Sequence, residues 1–304
     1  MNRSSRRLIT GHNGFVGQHA LQIWAHAVPL PNIGGCSLDI RDAESLAEAI
    51  AAISPHEVVH LAGISFVPTA IKNPRLTYEV NFLGTLNLLQ ALEKTGFTGR
   101  MLFVSSADPY GIVSLDQLPI REERVLAPRN PYAVSKAAAE ALCYQWSLNS
   151  KFEILIARPF NHIGPGQSEN FVISDFAKQI AEISAGKREP EIHVGNIDVS
   201  RDFSDVRDVL RAYDAILKHG KNSQIYNVCS EKEYVIRDLL KYLLKIAGVD
   251  ASIINDATKW RSSDQPRVVG SAEKIRENTN WFPIYSLNET LSEIYQYWEK
   301  RIDN

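Results

Sequence analysis

The sequence predicts an α/β fold in which a doubly wound parallel sheet carries helices on both faces and a smaller α/β lobe follows. Three observations point there. Short apolar runs alternate with amphipathic helical stretches as far as Phe160. A glycine-rich turn, TGHNGFVG, separates the first apolar run from the first helical stretch. Beyond Phe160 the alternation gives way to turn-rich segments and longer helical patterns.

The elements follow in order. RRLIT reads as a buried strand, GHNGFVG as a turn and QHALQIWAHA as an amphipathic helix. DAESLAEAIAAI continues as helix, HEVVHLAG as strand, and PRLTYEVNFLGTLNLLQALEKTG as one long helix. GRMLFVSS is the next strand, and Pro131 opens a helix because proline suits the first helical turn. KFEILIARPF is a further strand. Parallel strands joined through helices call for right-handed crossovers. NHIGPGQSEN is then a loop, SDFAKQIAEISAG a helix, and IHVGNIDVSRDF a short strand segment. DVRDVLRAYDAILKHG with QIYNVCS forms one more helix-strand unit that returns to the first sheet. IRDLLKYLLKIAG and LNETLSEIYQYWEK are the last helices, and the stripe Ile294, Tyr295, Tyr297, Trp298 reads as packing of the final one. The expected division is therefore 1–160 with 201–230 in one domain, and 161–200 with 231–304 in the other.

Composition narrows the function classes. A chain of 304 residues with 44% apolar and 22% charged residues is ordinary for a globular protein and long enough for one large domain or two. Its net charge of −2 gives no reason to expect a nucleic acid or an anionic membrane as partner. Cys36, Cys143 and Cys229 have neither metal-ligand spacing nor the even number of a disulfide framework, which fits a reducing cytoplasm. No run approaches the roughly 18 apolar residues of a membrane span.

Two motifs carry chemistry. Gly11, Gly14 and Gly17, with Phe15 and Val16 between them, sit where a strand meets a helix. Glycines there permit a tight turn and bring a pyrophosphate close to helix N–H groups, so the context points to dinucleotide binding. The residues that would choose the cofactor are missing, since no Asp, Glu, Lys or Arg lies between Gly14 and Leu38. NAD(H) and NADP(H) stay open. Asp39 and Ile40 come later, suited either to the adenine end or to plain helix entry. In RNPYAVSK, Tyr132 and Lys136 stand four apart on one helical face. An ammonium beside a phenol favours phenolate, but the spacing by itself is common in helices.

The chain then resembles a known family. TGHNGFVG, HLAG at 60–63, NFLGT at 81–85, SSADPYG at 105–111, PYAVSK at 131–136 and RPFNHIGPGQ at 158–167 occur in the order of the extended short-chain dehydrogenases/reductases that act on nucleotide sugars. RPFNHIGPGQ, VGNIDVSRDF at 194–203 and YNVCS at 226–230 look most like GDP-4-keto-6-deoxy-D-mannose reductases. The resemblance implies a Rossmann domain, a smaller C-terminal nucleotide-sugar domain and a cleft between them. It implies Tyr132 as acid/base, Lys136 as the group that binds the nicotinamide ribose and depresses the tyrosine pKa, and Ser106 as the hydroxyl on the sugar oxygen. Leu61, Ala62, Gly63 and Asn81 join the glycine turn around the cofactor, Asn81 supporting the active site or only its own helix. Asn161 faces the sugar or its phosphate. Lys178, Arg201 and Arg261 present basic side chains to the pyrophosphate or base, and Asp264 holds the ribose; Lys178 reads equally as a solvated lysine. The alanines at 137–141 suit either a homodimer helix pair or internal packing.

Ketone reduction needs a hydride at carbon and a proton at oxygen, and a nicotinamide supplies only the first. A tyrosine titrating near ~10 exchanges its proton poorly at neutral pH, so a neighbouring cation would help it. Dehydratases of this family also remove a C5 proton with a glutamate just after the Ser/Thr, where this chain has Ala107 and Asp108. Asp108 is one methylene shorter, and Pro109 replaces the usual valine. Simple reduction of a GDP-4-keto-6-deoxy-hexose is therefore the first expectation. A 4-epimerase or 4,6-dehydratase with tightly bound NAD(P) is the second. A dinucleotide-sensing binding protein is the third, and it would have no use for the tyrosine-lysine pair.

Overall fold

The structure is a computed structural model that describes residues 6–33, 36–259 and 265–303. The chain runs β1 (Arg7–Thr10), α1 (Phe15–Ile23), β2 (Ala27–Pro29), β3 (Asn32–Ile33), β4 (Cys36–Ser37), α2 (Ala43–Ile53), β5 (Glu57–His60), α3 (Val67–Lys72) and α4 (Pro74–Tyr78). A π-helical turn, Glu79–Leu83, leads into α5 (Gly84–Lys94). Then come β6 (Arg100–Val104), α6 (Pro131–Ser147), β7 (Glu153–Pro159), β8 (Asn161–Ile163), α7 (Val172–Ser184), β9 (Glu191–Val194), β10 (Ser200–Asp205), α8 (Val206–His219) and β11 (Ile225–Val228). The chain ends with β12 (Glu233–Val235), α9 (Ile236–Ala247), β13 (Ser252–Asn255), β14 (Arg267–Val268), α10 (Glu273–Thr279) and α11 (Leu287–Asp303).

Six of these strands form one parallel sheet in the order β2-β1-β5-β6-β7-β11. Because both faces are covered, its strands are apolar along their length, as the fully buried β1 and the ILIARP run of β7 illustrate. Side chains alternate across the sheet. Ile9, Val59, Leu102 and Leu155 face α1 and α8, meeting Ala20, Val209, Tyr213 and Ile216. Leu8, Val58, Met101 and Ile154 face α2, α5 and α6, meeting Leu46, Ile50, Leu88 and Cys143. This is the doubly wound, Rossmann-like α/β architecture expected. Strand β1 is flanked by β2 on one side and β5 on the other, so the chain changes direction there and leaves a crevice at their carboxyl ends.

A second, smaller sheet is built on β10, which pairs antiparallel with β12 and parallel with β14 and β8. Beneath it α7, α9 and α11 pack around Ile173, Phe176, Leu240, Leu243, Leu291 and Ile294. The aromatic stripe behaves as packing: Ile294, Tyr295 and Trp298 are buried in that cluster and Tyr297 lies against it. Strands β9 and β13 form a separate parallel pair.

Two readings change. The helix expected over 74–96 is not regular, because a π-turn interrupts it at Glu79–Leu83; an inserted residue leaves the apolar period almost intact, so periodicity does not report it. The return to the large sheet also begins later than 201. Residues Ser200–Asp205 pair within the small sheet, and only α8 and β11 rejoin the large one. Ala272, Ile275 and Trp281 pack against that large sheet as well. Among the described residues, no helix is long and apolar enough to cross a membrane, and no cluster of His, Cys, Asp or Glu is arranged to hold a metal.

Candidate active site

The crevice at the ends of β1, β5 and β6 gathers most of the residues singled out from the sequence. Gly11 follows β1 with φ +70, and a Cβ there would stand 2.6 Å from the Ala62 nitrogen. A Cβ on Gly17 would stand 2.4 Å from the Gly11 oxygen. These two positions are closed to any side chain. Gly14, by contrast, is exposed; its N–H donates to the Gly11 carbonyl at 3.1 Å and it caps α1 in extended conformation, leaving main chain open toward the crevice. Phe15 and Val16 begin α1. That cradle fits a pyrophosphate, since exposed main chain at Asn13 and Gly14 leads into a helix start.

On the next strand, the Leu61 N–H donates to the Thr10 carbonyl and the Ala62 N–H to the Thr10 hydroxyl at 3.1 Å. A Cβ on Gly63 would come within 3.0 Å of Asn81 Oδ1 and 3.6 Å of Lys136 Nζ. The cofactor loop and the lysine therefore meet. Farther along the sheet edge, Asp39, Arg41, Asp42, Glu79, Leu83 and Asn87 line an open cavity of about 690 Å³. Asp39 is engaged by Arg41 at 2.6 Å, which holds its carboxyl below the usual range, while Ile40 is buried beside it.

Tyr132 sits in the first turn of α6. Asn130 caps that helix, its side chain accepting the Ala133 N–H at 2.8 Å, and Pro131 supplies the fixed φ of a first helical residue. Four residues on, Lys136 donates to the Val104 carbonyl at the end of β6 at 2.8 Å and lies 5.1 Å from the Phe103 ring. Ser106 leaves the same strand end, and its oxygen accepts the Asp108 N–H at 3.1 Å. The helix is clamped from behind by a buried ion pair in which Arg158 of β7 donates to Glu140 at 2.6 and 3.0 Å.

Burial dominates the electrostatics of the pair. The Tyr132 phenol is pushed up, first by burial and then by the Asp108 carboxylate, against a hydrogen bond from Ser106. The lysine is itself desolvated, its pKa brought down to about 8, and its ammonium donates one of its three hydrogens to the Val104 carbonyl. Asn81 also differs from a cofactor contact. It is buried in the π-turn, where Oδ1 accepts the Ile64 N–H at 2.7 Å and Nδ2 donates to the Ile64 carbonyl and the Ser135 hydroxyl. Its polar atoms bind protein.

The sugar-side residues are spread along the small lobe. Asn161 is exposed on β8 opposite Phe203 of β10, and Arg201 lies two residues before that position. Arg201 donates to the Ser200 and Gln265 carbonyls at 2.8 and 2.7 Å. Lys178 on α7 pairs with Glu169 at 3.4 Å and stands 5.6 Å from the Trp298 ring. Asp108 is exposed at the crevice edge. Arg261 and Asp264 lie outside the described residues. The sequence reading missed Thr10, His60, Thr85, Ser135, Glu140 and Arg158; HLAG and NFLGT contain two of them, His60 and Thr85, but nothing in a string of letters says which polar side chains meet.

Comparison with known proteins adds to this geometry. A family model described as GDP-mannose 4,6 dehydratase matches residues 29–294. A GDP-6-deoxy-D-mannose reductase of Pseudomonas aeruginosa is 45% identical over 98% of this chain and 99% of its own. The solved structure of RMD from Pseudomonas aeruginosa complexed with NADPH superposes with a TM-score of 0.92 at 44% identity, covering 98% of this chain and 100% of that one. A GDP-6-deoxy-D-talose 4-dehydrogenase of Aggregatibacter actinomycetemcomitans is 26% identical over 95% of this chain and 96% of its own. With a glycine cradle, a tyrosine-lysine pair and a serine at one sheet edge, this chain belongs to the GDP-mannose 4,6-dehydratase family of extended short-chain dehydrogenases/reductases.

Proposed function

We propose that this protein is an NAD(P)H-dependent oxidoreductase that reduces the C4 ketone of a GDP-4-keto-6-deoxy-hexose. GDP-4-keto-6-deoxy-D-mannose would give GDP-D-rhamnose or its C4 epimer, GDP-6-deoxy-D-talose. The observation that carries the reading is the convergence of Ser106, Tyr132 and Lys136 beside the glycine cradle. Likeness to a reductase at 45% identity and to an NADPH complex supports it.

The turn from Gly11 to Gly17 holds the dinucleotide pyrophosphate, Leu61, Ala62 and Gly63 bracket it, Asp39 and Ile40 take the adenine end, and Lys136 takes the nicotinamide ribose. When bound in reduced form, the dinucleotide supplies the hydride to C4. Tyr132 donates its phenolic proton to the C4 oxygen. Burial and Asp108 keep that phenol protonated, which is the form a proton donor must have before transfer. The Ser106 hydroxyl is a second donor to the oxygen as charge grows on it. The ammonium of Lys136 stabilises the phenolate left behind, while Asn161, Lys178, Arg201, Arg261 and Asp264 bind sugar, diphosphate and nucleotide ribose. Residues 1–160 with 206–230 serve the cofactor and the small lobe serves the nucleotide sugar.

A second reading, dehydration or epimerisation, is favoured by one observation: the Asp108 carboxylate acts on the Tyr132 phenol and so stands near the proton-transfer centre. Nicotinamide absorbance separates the two. Consumption of NADPH in proportion to added GDP-4-keto-6-deoxy-D-mannose supports reduction; turnover of GDP-mannose with no net change in NADPH overturns it. Melting shifts across GDP-, UDP-, CDP- and dTDP-sugars test the base, because a ligand raises stability with its affinity for the native state. Stabilisation by the dTDP-sugar alone would refute the GDP assignment. The exposed Tyr78, Leu83, Val134, Tyr144 and Leu148 on the α4–α6 side fit a homodimer, and the buried thiols of Cys143 and Cys229 fit a cytoplasmic enzyme.

A further inference from the structure

We propose that His60, together with Thr10 and Thr85, is a positioning assembly that fixes the π-turn and through it the first turn of α6, and so sets where the Tyr132 hydroxyl stands. The inference rests on the reductase reading only for the role of Tyr132.

The directions of the hydrogen bonds are forced. Thr85 Oγ1 donates to the Asn81 carbonyl at 2.7 Å, so toward His60 Nε2, 3.0 Å away, it can only accept. Nε2 therefore carries the imidazole proton, and Nδ1 is left as an acceptor. The Thr10 hydroxyl, 2.6 Å from Nδ1, supplies the proton for that bond, and its oxygen in turn accepts the Ala62 N–H. One directed chain results: Ala62 N–H to Thr10, Thr10 to His60, His60 to Thr85, Thr85 to the Asn81 carbonyl. Thr10, His60, Asn81 and Thr85 are all buried to within 1%. Any broken link leaves an unpaired polar group in the interior.

The chain then continues to the catalytic helix. The Asn81 amide donates to Ser135 Oγ at 2.9 Å, and the Ser135 hydroxyl donates to the Tyr132 carbonyl at 2.7 Å. His60 thus ties the end of β1, beside the glycine cradle, to the peptide of Tyr132. An imidazolium would disrupt this assembly twice, since it cannot accept from Thr10 and would face the Lys136 ammonium. Burial and Lys136 together bring the His60 pKa down to about 3, so the neutral form persists.

The test joins a spectroscopic reading to kinetics. In protein labelled with 15N-histidine, with His60 assigned by the loss of its signal in His60→Gln, the ring should stay neutral and Nε2-protonated from about pH 5 to 8, where a free imidazole titrates. Titration in that range, or an Nδ1-protonated ring, overturns the assignment. Thr85→Val should lower kcat by about 10- to 100-fold, the scale of an ångström-level misplacement, with KM for the GDP-sugar and dinucleotide affinity little changed. Thr85→Ser should return most of the loss. Wild-type kcat in Thr85→Val, or no recovery with serine, refutes the positioning role. Should Thr85→Val fail to fold, Thr10→Val against Thr10→Ser poses the same question from the other end. Tyr132→Phe run alongside separates the two ideas: normal turnover there sinks the reductase reading, whereas an inactive Tyr132→Phe beside a normal Thr85→Val sinks this inference alone.

Discussion

The two sides of the crevice are built from different materials. At the large-sheet edge the polar groups are short, buried and already paired with protein: Thr10, His60, Asn81, Thr85 and Ser135 bond one another or main chain, and Arg158 is locked to Glu140. On the small lobe the basic groups singled out for the substrate are longer and nearer solvent, such as Lys178 against Glu169. The first side is organised before anything binds, which suits chemistry common to a whole superfamily. The second presents longer charged side chains nearer solvent, which suits the recognition of one particular nucleotide sugar.

The contrast is sharpest at Tyr132. Tyr132→Phe should cost about 10²- to 10⁴-fold in kcat while dinucleotide binding persists, measured by steady-state turnover and by NADPH fluorescence. Retained turnover would break the assignment. The two ion pairs give a comparison in stability. Glu140→Ala leaves Arg158 charged and buried and should cost about 3–5 kcal/mol in chemical denaturation. Glu169→Ala, at an exposed pair, should cost less than about 1 kcal/mol. Equal costs would show that the two sides are not built differently.

Smaller effects sharpen the picture. Arg201→Ala should raise KM for the GDP-sugar about 10- to 100-fold, the worth of a hydrogen bond to a charged group, with the Kd for NADPH unchanged. A matching loss in NADPH affinity would put Arg201 on the wrong side. With Lys136 brought down to about 8 from 10.5, its ammonium is lost as pH rises through about 8, and kcat should decline on that alkaline limb. Stability has the opposite sign. Between about 8 and 10.5 the unfolded chain holds a proton that the native lysine has released, so the burial penalty paid below pH 8 is relieved as pH rises. Lys136→Met should remove that rise, as seen in melting temperature against pH.

Much of this was legible in the sequence, for identifiable reasons. Strand β7 and the glycine turn declare themselves because local composition, apolar period and steric demand agree at those positions. Tyr132 and Lys136 are local too, four apart on one helix. The π-turn at Glu79–Leu83 is not legible, because one extra residue barely alters the apolar pattern. His60 reads as a strand end, since its partners Thr10 and Thr85 are 50 and 25 residues away. The direction of the Tyr132 shift was also hidden. Sequence spacing brings the lysine near the phenol but says nothing about burial or about the Asp108 carboxylate beside the phenol.

Strand β10 passes into α8 with no residue between, and two of its carboxylates are buried at that seam. Asp202 accepts the N–H groups of Ser230, Glu231 and Gly270, and Asp205 both caps α8 and accepts the Thr290 hydroxyl of α11. A hinge needs slack, and this junction has none. Any change of angle between the two sheets at this point would have to break those buried hydrogen bonds.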